Sequence, residues 1–319
     1  MTVDAAAERP DDLSPGWRVV DALVVIRSRV AIKPVTAAAP YLLLLPALFL
    51  VTLLLVGLLQ LAWQSFHTYD AFRAVQGPVS LEQYRRLFTG VSSDHIVNTI
   101  LTTIKVSVLA TITNVALGLP LSYFILRIRS NAWRFLAMTL LLVPFLMGEI
   151  VRAFGWYILL GRRGVLTWVL ALFDIHHVTL LGSLWAVWLG MIQVGLPIAV
   201  LVMLPALKRI NPDLERAAQT LGASPLRTWR SVVIPLARQG LVSASIVVFG
   251  LSMTEFAMPA ILGLGRKPFV ANEIETMFFF QSNQYLGSAL SMTLVVIVIA
   301  FVLVISKLGF GRSRGLTHG

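Results

Sequence analysis

Four ionisable side chains, Lys105, Glu149, Arg152 and Glu255, lie well inside long apolar runs. A charge in hydrocarbon is costly, so such groups face the interior of a helix bundle or an aqueous path. Glu149, Arg152 and Trp156 follow an i, i+3, i+7 spacing that places them on one helix face. Two readings are open for this set. Two acids and two bases sum to zero and could form an internal ion network, with Glu149 and Arg152 pairing along one helix. Alternatively some of them line a solute path, where the Trp156 ring offers a wall for a cation. Glu255, followed by Phe256 and then Pro259, reads as pathway or gate lining, because a proline in an apolar run predicts a broken helix there.

A second polar constellation is the stretch 211–235. Asn211 before Pro212 is an N-cap and N1 pair, Asp213 and Glu215 put negative charge in the first turn, and Ala217 and Ala218 favour helix. Gly222 supplies the stop, since glycine enters the left-handed cap without steric cost. Ser224 and Pro225 form a second N-cap and N1 pair. Two short helices should therefore meet at a corner of small side chains, Ala217, Ala218, Gly222 and Ala223, which another protein can grip.

The elements that position these residues follow from composition. The chain has 319 residues, of which 57% are hydrophobic and 13% charged, with mean hydropathy +0.81. No soluble domain with an ordinary surface has that balance. Crossing the roughly 30 Å hydrocarbon core takes about 20 apolar residues as a helix. Six segments qualify, near 41–62, 97–125, 135–160, 182–206, 240–263 and 286–309, and no barrel-like alternation is evident. The expected fold is all-α integral membrane with six transmembrane helices. Its expected organisation is a tail and interfacial helix over 1–40, a transmembrane domain over 41–309 carrying the hairpin 211–235, and a tail over 310–319.

Lys and Arg fix the orientation. With the N-terminus inside, seventeen of them fall on the cytoplasmic side against seven outside, which puts both termini and the hairpin in the cytoplasm. At 1.5 Å per residue, Glu149 and Glu255 lie roughly 21 Å from the cytoplasmic ends of their spans and Lys105 roughly 12 Å from the outer boundary. Three charges from three helices thus fall near one level.

Several function classes are excluded or weakened. The net charge of +11 tracks the membrane boundary and forms no basic stripe with interleaved aromatics, which argues against nucleic acid. There is no cysteine, hence no disulfide or thiolate metal site. The first 40 residues are acidic at the start and interrupted by Arg27, Arg29 and Lys33, unlike a secretory signal. An interfacial helix over about 17–31, its charges reaching lipid head groups, fits them better. His176 and His177 after Asp174 lack a second ligand cluster and read as loop residues. Phe278, Phe279 and Phe280 read as a packing patch, and the small residues Ser243, Ala244, Ser245, Gly250 and Ser252 suit close helix contacts. No G-x-x-x-x-G-K-[ST] phosphate loop occurs, so the chain is not expected to bind ATP in that manner. Energy must come from another subunit or from an ion gradient.

The spacing Ala217-Ala218-x-x-x-Gly222, followed by Val232-x-Ile234-Pro235, resembles the EAA loop of the membrane subunits of binding-protein-dependent ABC importers. Further matches are Asn98-Thr99, Gly118-Leu-Pro-Leu-Ser-Tyr123, Arg152-Ala-Phe-Gly-Trp156, Leu159-Leu160-Gly161 with Gly164-Val-Leu166, Glu255-Phe256 with Pro259 and Leu262-Gly263, and Gly287-Ser-Ala-Leu-Ser291. Their order over about 41–309 is similar to the spermidine/putrescine permease branch. The resemblance implies a permease in the bacterial inner membrane, with no catalytic residue and no cofactor of its own. Implied partners are an ABC ATPase dimer that binds ATP and Mg, a second homologous permease subunit, a solute-binding protein and membrane lipid. It also implies that 211–235 is the coupling loop, carried by Glu215, Arg216, Ala217, Ala218, Gly222, Ala223, Ser224 and Pro225. The family has Glu directly before the Ala pair, where this chain has Arg216. The missing contact then falls to Glu215 or to a complementary acidic site on the ATPase. The alternative from another class is a secondary transporter in which Glu149 or Glu255 carries a coupling proton. Such folds usually show internal repeats, and none is visible.

Overall fold

The structure, a computed structural model, describes residues 33–70, 75–90, 93–172 and 180–310. The tail before 33, with the interfacial helix expected over 17–31, lies outside the described residues. So do Asp174, His176, His177 and the tail from 311 onward.

In chain order the elements are α1 (Lys33–Ser65), β1 (His67–Asp70), β2 (Val75–Val79), α2 (Glu82–Thr89), α3 (Ser93–Arg127), α4 (Asn131–Leu146), α5 (Glu149–Leu160), α6 (Val165–Leu172) and α7 (Leu184–Lys208). There follow α8 (Pro212–Thr220), α9 (Pro225–Thr228), a π-helical turn at Trp229–Val233, α10 (Ile234–Leu236), α11 (Arg238–Met253) and α12 (Ala257–Leu262). The chain closes with α13 (Val270–Glu275), a second π-helical turn at Thr276–Phe280 and α14 (Gln284–Phe310). The chain divides into two units, Met1–Gln60 and Leu61–Gly319. The described part of the first is helical from Lys33, so α1 begins before the span boundary expected near 41. The site and core described below belong to the second unit.

Among the described residues, α1, α3, α7 and α14 are each long and apolar enough to cross a membrane unbroken, and there are six such spans if each of two bent helix pairs is one span. The segment expected as one helix over 135–160 is one of those pairs. Its axis turns by 99° between Asn131–Leu146 and Glu149–Val169. The cause is local: Met147 and Gly148 are extended, with ψ 143° and 144°, just after Pro144, which lacks an N–H and disrupts the last turn of α4. The break expected before Pro259 is present, with α11 ending at Met253 and α12 starting at Ala257. The second bent pair, turning by 70°, joins 225–236 to 238–253. A two-stranded antiparallel ribbon, His67 opposite Val79 and Asp70 opposite Val75, is an addition that the apolar periodicity did not predict.

The buried core centres on α3, α7 and α11. Gly118 shows why α3 and α7 approach so closely: a Cβ there would lie 2.7 Å from Met203 Cε and 3.1 Å from the Ala199 Cβ. Such contact between backbones is how membrane helices gain packing without a hydrophobic drive. Leu119, Ala199, Met203, Val233, Ala244 and Val248 fill the end of this core nearest the hairpin. At the other end Val106, Ala153, Val187, Met191, Met258 and Leu262 join α5 and α12 to α3 and α7. Of the small residues in the fifth span, Ala244 and Ser252 are buried within the chain while Ser243 is exposed.

Candidate functional site

The hairpin follows its sequence logic closely. Asn211 Oδ1 accepts from the Asp213 N–H at 3.0 Å, and Ser224 Oγ accepts from the Arg227 N–H at 3.3 Å. Gly222 has φ +85°. The Gly222 N–H reaches the Gln219 carbonyl at 2.9 Å and the Ala223 N–H the Ala218 carbonyl at 3.0 Å, the paired bonds of a Schellman cap. The corner so formed presents apolar side chains outward. Leu221 is 89% exposed, Leu226 64% and Leu214 49%, far more apolar surface than a short polar hairpin needs.

Glu215, expected as a residue of the coupling loop, is bonded within the chain and holds the hairpin in place. Its side chain is buried. The Tyr123 hydroxyl donates to Glu215 Oε2 at 2.5 Å, and the Arg127 guanidinium donates to Oε1 and forms an ion pair with it. Arg127 also lies over the Tyr123 ring at 5.0 Å, and Tyr123 packs edge-on against Trp229 with centroids 4.9 Å apart. The end of α3, the helix α8 and the π-helical turn are thereby joined through one carboxylate. Both oxygens are satisfied, which a buried carboxylate requires. Arg216 points away, exposed, and pairs with Asp213 at 3.0 Å. An exposed pair of this kind contributes little to stability, so the charge at the corner remains available to a partner.

The intramembrane residues divide differently from the expectation. Glu149, Arg152 and Glu255 come together where the breaks of the third and fifth spans meet, while Trp156 and Phe256 are placed by other contacts. Glu149 Oε1 accepts from the Ala257 N–H and Glu255 Oε1 from the Met258 N–H, both at 3.3 Å, so two carboxylates meet the first turn of α12. The Glu149 carboxyl lies beside that of Glu255, and the Arg152 guanidinium is close enough to act on it. Arg152 does not form the i, i+3 pair with Glu149. Its Nη1 donates to the Phe145 carbonyl at 3.1 Å and reaches the Met147 carbonyl at 3.5 Å, the acceptors orphaned where α4 ends. Its Nε is buried without a partner. Trp156 Nε1 donates to Gln193 Oε1 at 3.2 Å, tying α5 to α7, and Asn272 Nδ2 donates to the Phe256 carbonyl at 3.1 Å, holding the break from α13.

Lys105 is not part of this cluster. It lies on an exposed face of α3, between the buried Thr103 and Val106. The four-residue set is therefore a three-residue set of two carboxyl groups side by side and one guanidinium. Among the described residues no group of three or more metal-ligating side chains occurs.

With this geometry in hand, comparison with known proteins is decisive about family. Residues 34–313 match the family described as binding-protein-dependent transport system inner membrane component. The chain belongs to this family. Among its relatives, the inner membrane ABC transporter permease protein YdcU of Escherichia coli K12 is 28% identical over 267 residues, 79% of this chain and 84% of that protein. The spermidine/putrescine transport system permease protein PotB of Haemophilus influenzae is 27% identical over 242 residues, covering 75% and 83%. A chain from the crystal structure of a bacterial ABC transporter involved in the import of the acidic polysaccharide alginate has the same fold, with TM-score 0.67 at 17% identity, covering 88% of this chain and 99% of that one. The protein is thus a multi-pass transmembrane permease subunit of an ABC importer in the bacterial inner membrane, and secondary transport through Glu149 or Glu255 is not favoured.

Other residues of the permease site escaped the sequence reading. Tyr123 and Arg127 are among them, although Tyr123 ends the Gly118-Leu-Pro-Leu-Ser-Tyr123 motif. Their partner is 92 and 88 residues away, beyond any local pattern. Gln193 and Asn272 gave no signal. The buried hydroxyl row Thr99, Thr103, Ser107 and Thr111 did give one, a period of four along α3. Of these, Thr103 Oγ1 accepts from the Val270 N–H at 3.1 Å.

Proposed function

We propose that this permease imports a small cationic, polyamine-like solute, delivered by a binding protein and driven by ATP hydrolysis in a separate ATPase pair. The termini and hairpin 211–235 face the cytoplasm, as the charge count requires. A second, homologous permease completes the pathway in a heterodimer. The chain binds no cofactor itself; ATP and Mg belong to the ATPase.

The observation that carries the coupling part is the exposed corner on a buried anchor. Leu214, Leu221 and Leu226 present apolar surface on two short helices whose base is fixed to α3 through Glu215. Apolar groups around a rigid corner are what a protein cleft can grip. Force applied at Gly222 and Ala223 passes through Glu215 to Tyr123 and Arg127, and so to α3. A rigid-body change of the bundle follows without any new contact in the membrane.

The solute part rests on the cluster at the two helix breaks. Two carboxyl groups side by side with one guanidinium offer acceptor oxygens at the helix breaks, suited to an amine in a partly desolvated path. The relatives named for spermidine and putrescine transport support the same class. Lys105, exposed on α3, faces the aqueous path or the second permease, since a lysine at that depth does not face lipid alone.

The test is ATP hydrolysis by the full complex reconstituted with its binding protein. Spermidine or putrescine should stimulate it, whereas molybdate or a neutral sugar should not. Stimulation by an anion and none by any amine would refute the solute class while leaving the coupling part intact.

A further inference from the structure

We propose that the cavity at the end of the bundle opposite the hairpin binds the phosphate of an anionic phospholipid, with an acyl chain running along α5. The cavity has a volume of about 630 Å³ and lies between the end of α5 and the turn before α7, with Tyr157, Ile158, Arg162, Arg163, Leu181 and Arg266 among its walls. The hairpin follows the other end of α7, a helix of 25 residues, so the two sites are separated by roughly 37 Å along the bundle.

Three exposed arginines around one cavity concentrate positive charge there, which favours an anion. Among the described residues, none of Arg162, Arg163 and Arg266 has an acidic partner, whereas Arg86 at the same end of the bundle is paired with Glu82 at 3.2 Å. These arginines also run against the charge bias of the chain. They are three of its seven basic residues on the sparse side of the membrane, and such residues are disfavoured there.

The walls between the arginines identify the anion. They are largely apolar, and Ile158 continues a row down one face of α5: Ile150, Phe154 and Ile158 at i, i+4 and i+8 are 62%, 52% and 70% exposed. The row is roughly 12 Å long and ends in the cavity. A basic pocket at the head of an apolar track is complementary to a phosphodiester with its acyl chain, the charge chemistry by which basic pockets between membrane helices hold anionic head groups on the cytoplasmic side. An acidic protein surface would satisfy the arginines without requiring an apolar row beside them. A second copy of this chain would bring the same unpaired arginines. Free phosphate shares the charge chemistry but has nothing to lay on the track.

Native mass spectrometry of the intact transporter complex, with phosphatidylglycerol or phosphatidylcholine added, tests this. Wild type should retain phosphatidylglycerol in preference to phosphatidylcholine. The R162Q/R163Q/R266Q variant should lose it, by about fivefold per arginine removed, and R162K/R163K/R266K should keep it. If the triple glutamine variant does not assemble, R266Q alone carries the test through its fivefold drop. Equal retention of the two lipids, or undiminished phosphatidylglycerol on the glutamine variants, would overturn the proposal. So would displacement of the lipid by an equal concentration of inorganic phosphate, or loss of binding-protein association with lipid retention unchanged.

Discussion

Glu215 and Glu255 are buried to nearly the same degree, at 7% and 8% exposure, yet they are solvated by the protein in opposite ways. Glu215 has a tyrosine hydroxyl and an arginine, one for each oxygen, so its charge is cancelled and its geometry fixed. Glu255 has one backbone N–H at 3.3 Å, a second carboxyl beside it and an arginine already engaged with two carbonyls. Burial alone therefore separates nothing. A carboxylate whose partners complete its charge and hydrogen bonds is an anchor, and one with acceptor capacity left over is available to a ligand.

The comparison predicts different lesions. Glu215→Gln should have the largest effect, because Arg127 loses its counter-charge and a buried charge-assisted bond contributes about 1.5–3 kcal/mol. The complex should still hydrolyse ATP while transport per ATP falls at least tenfold, measured in proteoliposomes. Next in size is Glu255→Gln, which should lower amine transport about tenfold, equivalent to roughly 1.4 kcal/mol, with assembly intact by size-exclusion chromatography. Transport at the wild-type rate in that variant would remove Glu255 from the pathway. Gly222→Val should follow. A Cβ at Gly222 meets nothing within 4 Å, so the cost is purely that of a left-handed backbone, about 1–2 kcal/mol, read as partial uncoupling. Gly222→Asn, which tolerates that conformation, should be milder. Tyr123→Phe should be smallest, removing one hydroxyl from a carboxylate that keeps Arg127, with a loss of about 1 kcal/mol in thermal stability.

Legibility in the sequence follows the same division. The caps at Asn211, Ser224 and Gly222 are decided by neighbours within a few residues, so residue type and spacing were sufficient to read them. The four unbroken spans were legible because apolar length is itself the physical requirement. The bend at Met147–Gly148 was hidden, since an apolar run reads the same whether its helix is straight or folded, and Pro144 alone signals it weakly. Partner choice was hidden for a related reason. Glu149 and Arg152 have the spacing of an ion pair, but the break in α4 frees carbonyls at Phe145 and Met147 that claim the guanidinium instead. Lys105 shared an estimated depth with the acids, yet depth says nothing about the direction a side chain takes around the helix axis. The clamp on Glu215 depends on α3 and α8 meeting at the bundle end, which no local pattern encodes.

The central claim is that the corner at Leu221 docks into the ATPase while the opposite end of the bundle does not. Because the chain has no cysteine, Leu221→Cys introduces a single thiol at a position 89% exposed. A bifunctional thiol cross-linker applied to the purified complex should join that chain to the ATPase subunit, while Leu264→Cys at the far boundary should give no such product. Absence of the Leu221 adduct in a complex that still co-purifies with its ATPase, or equal adducts from both positions, would contradict the account.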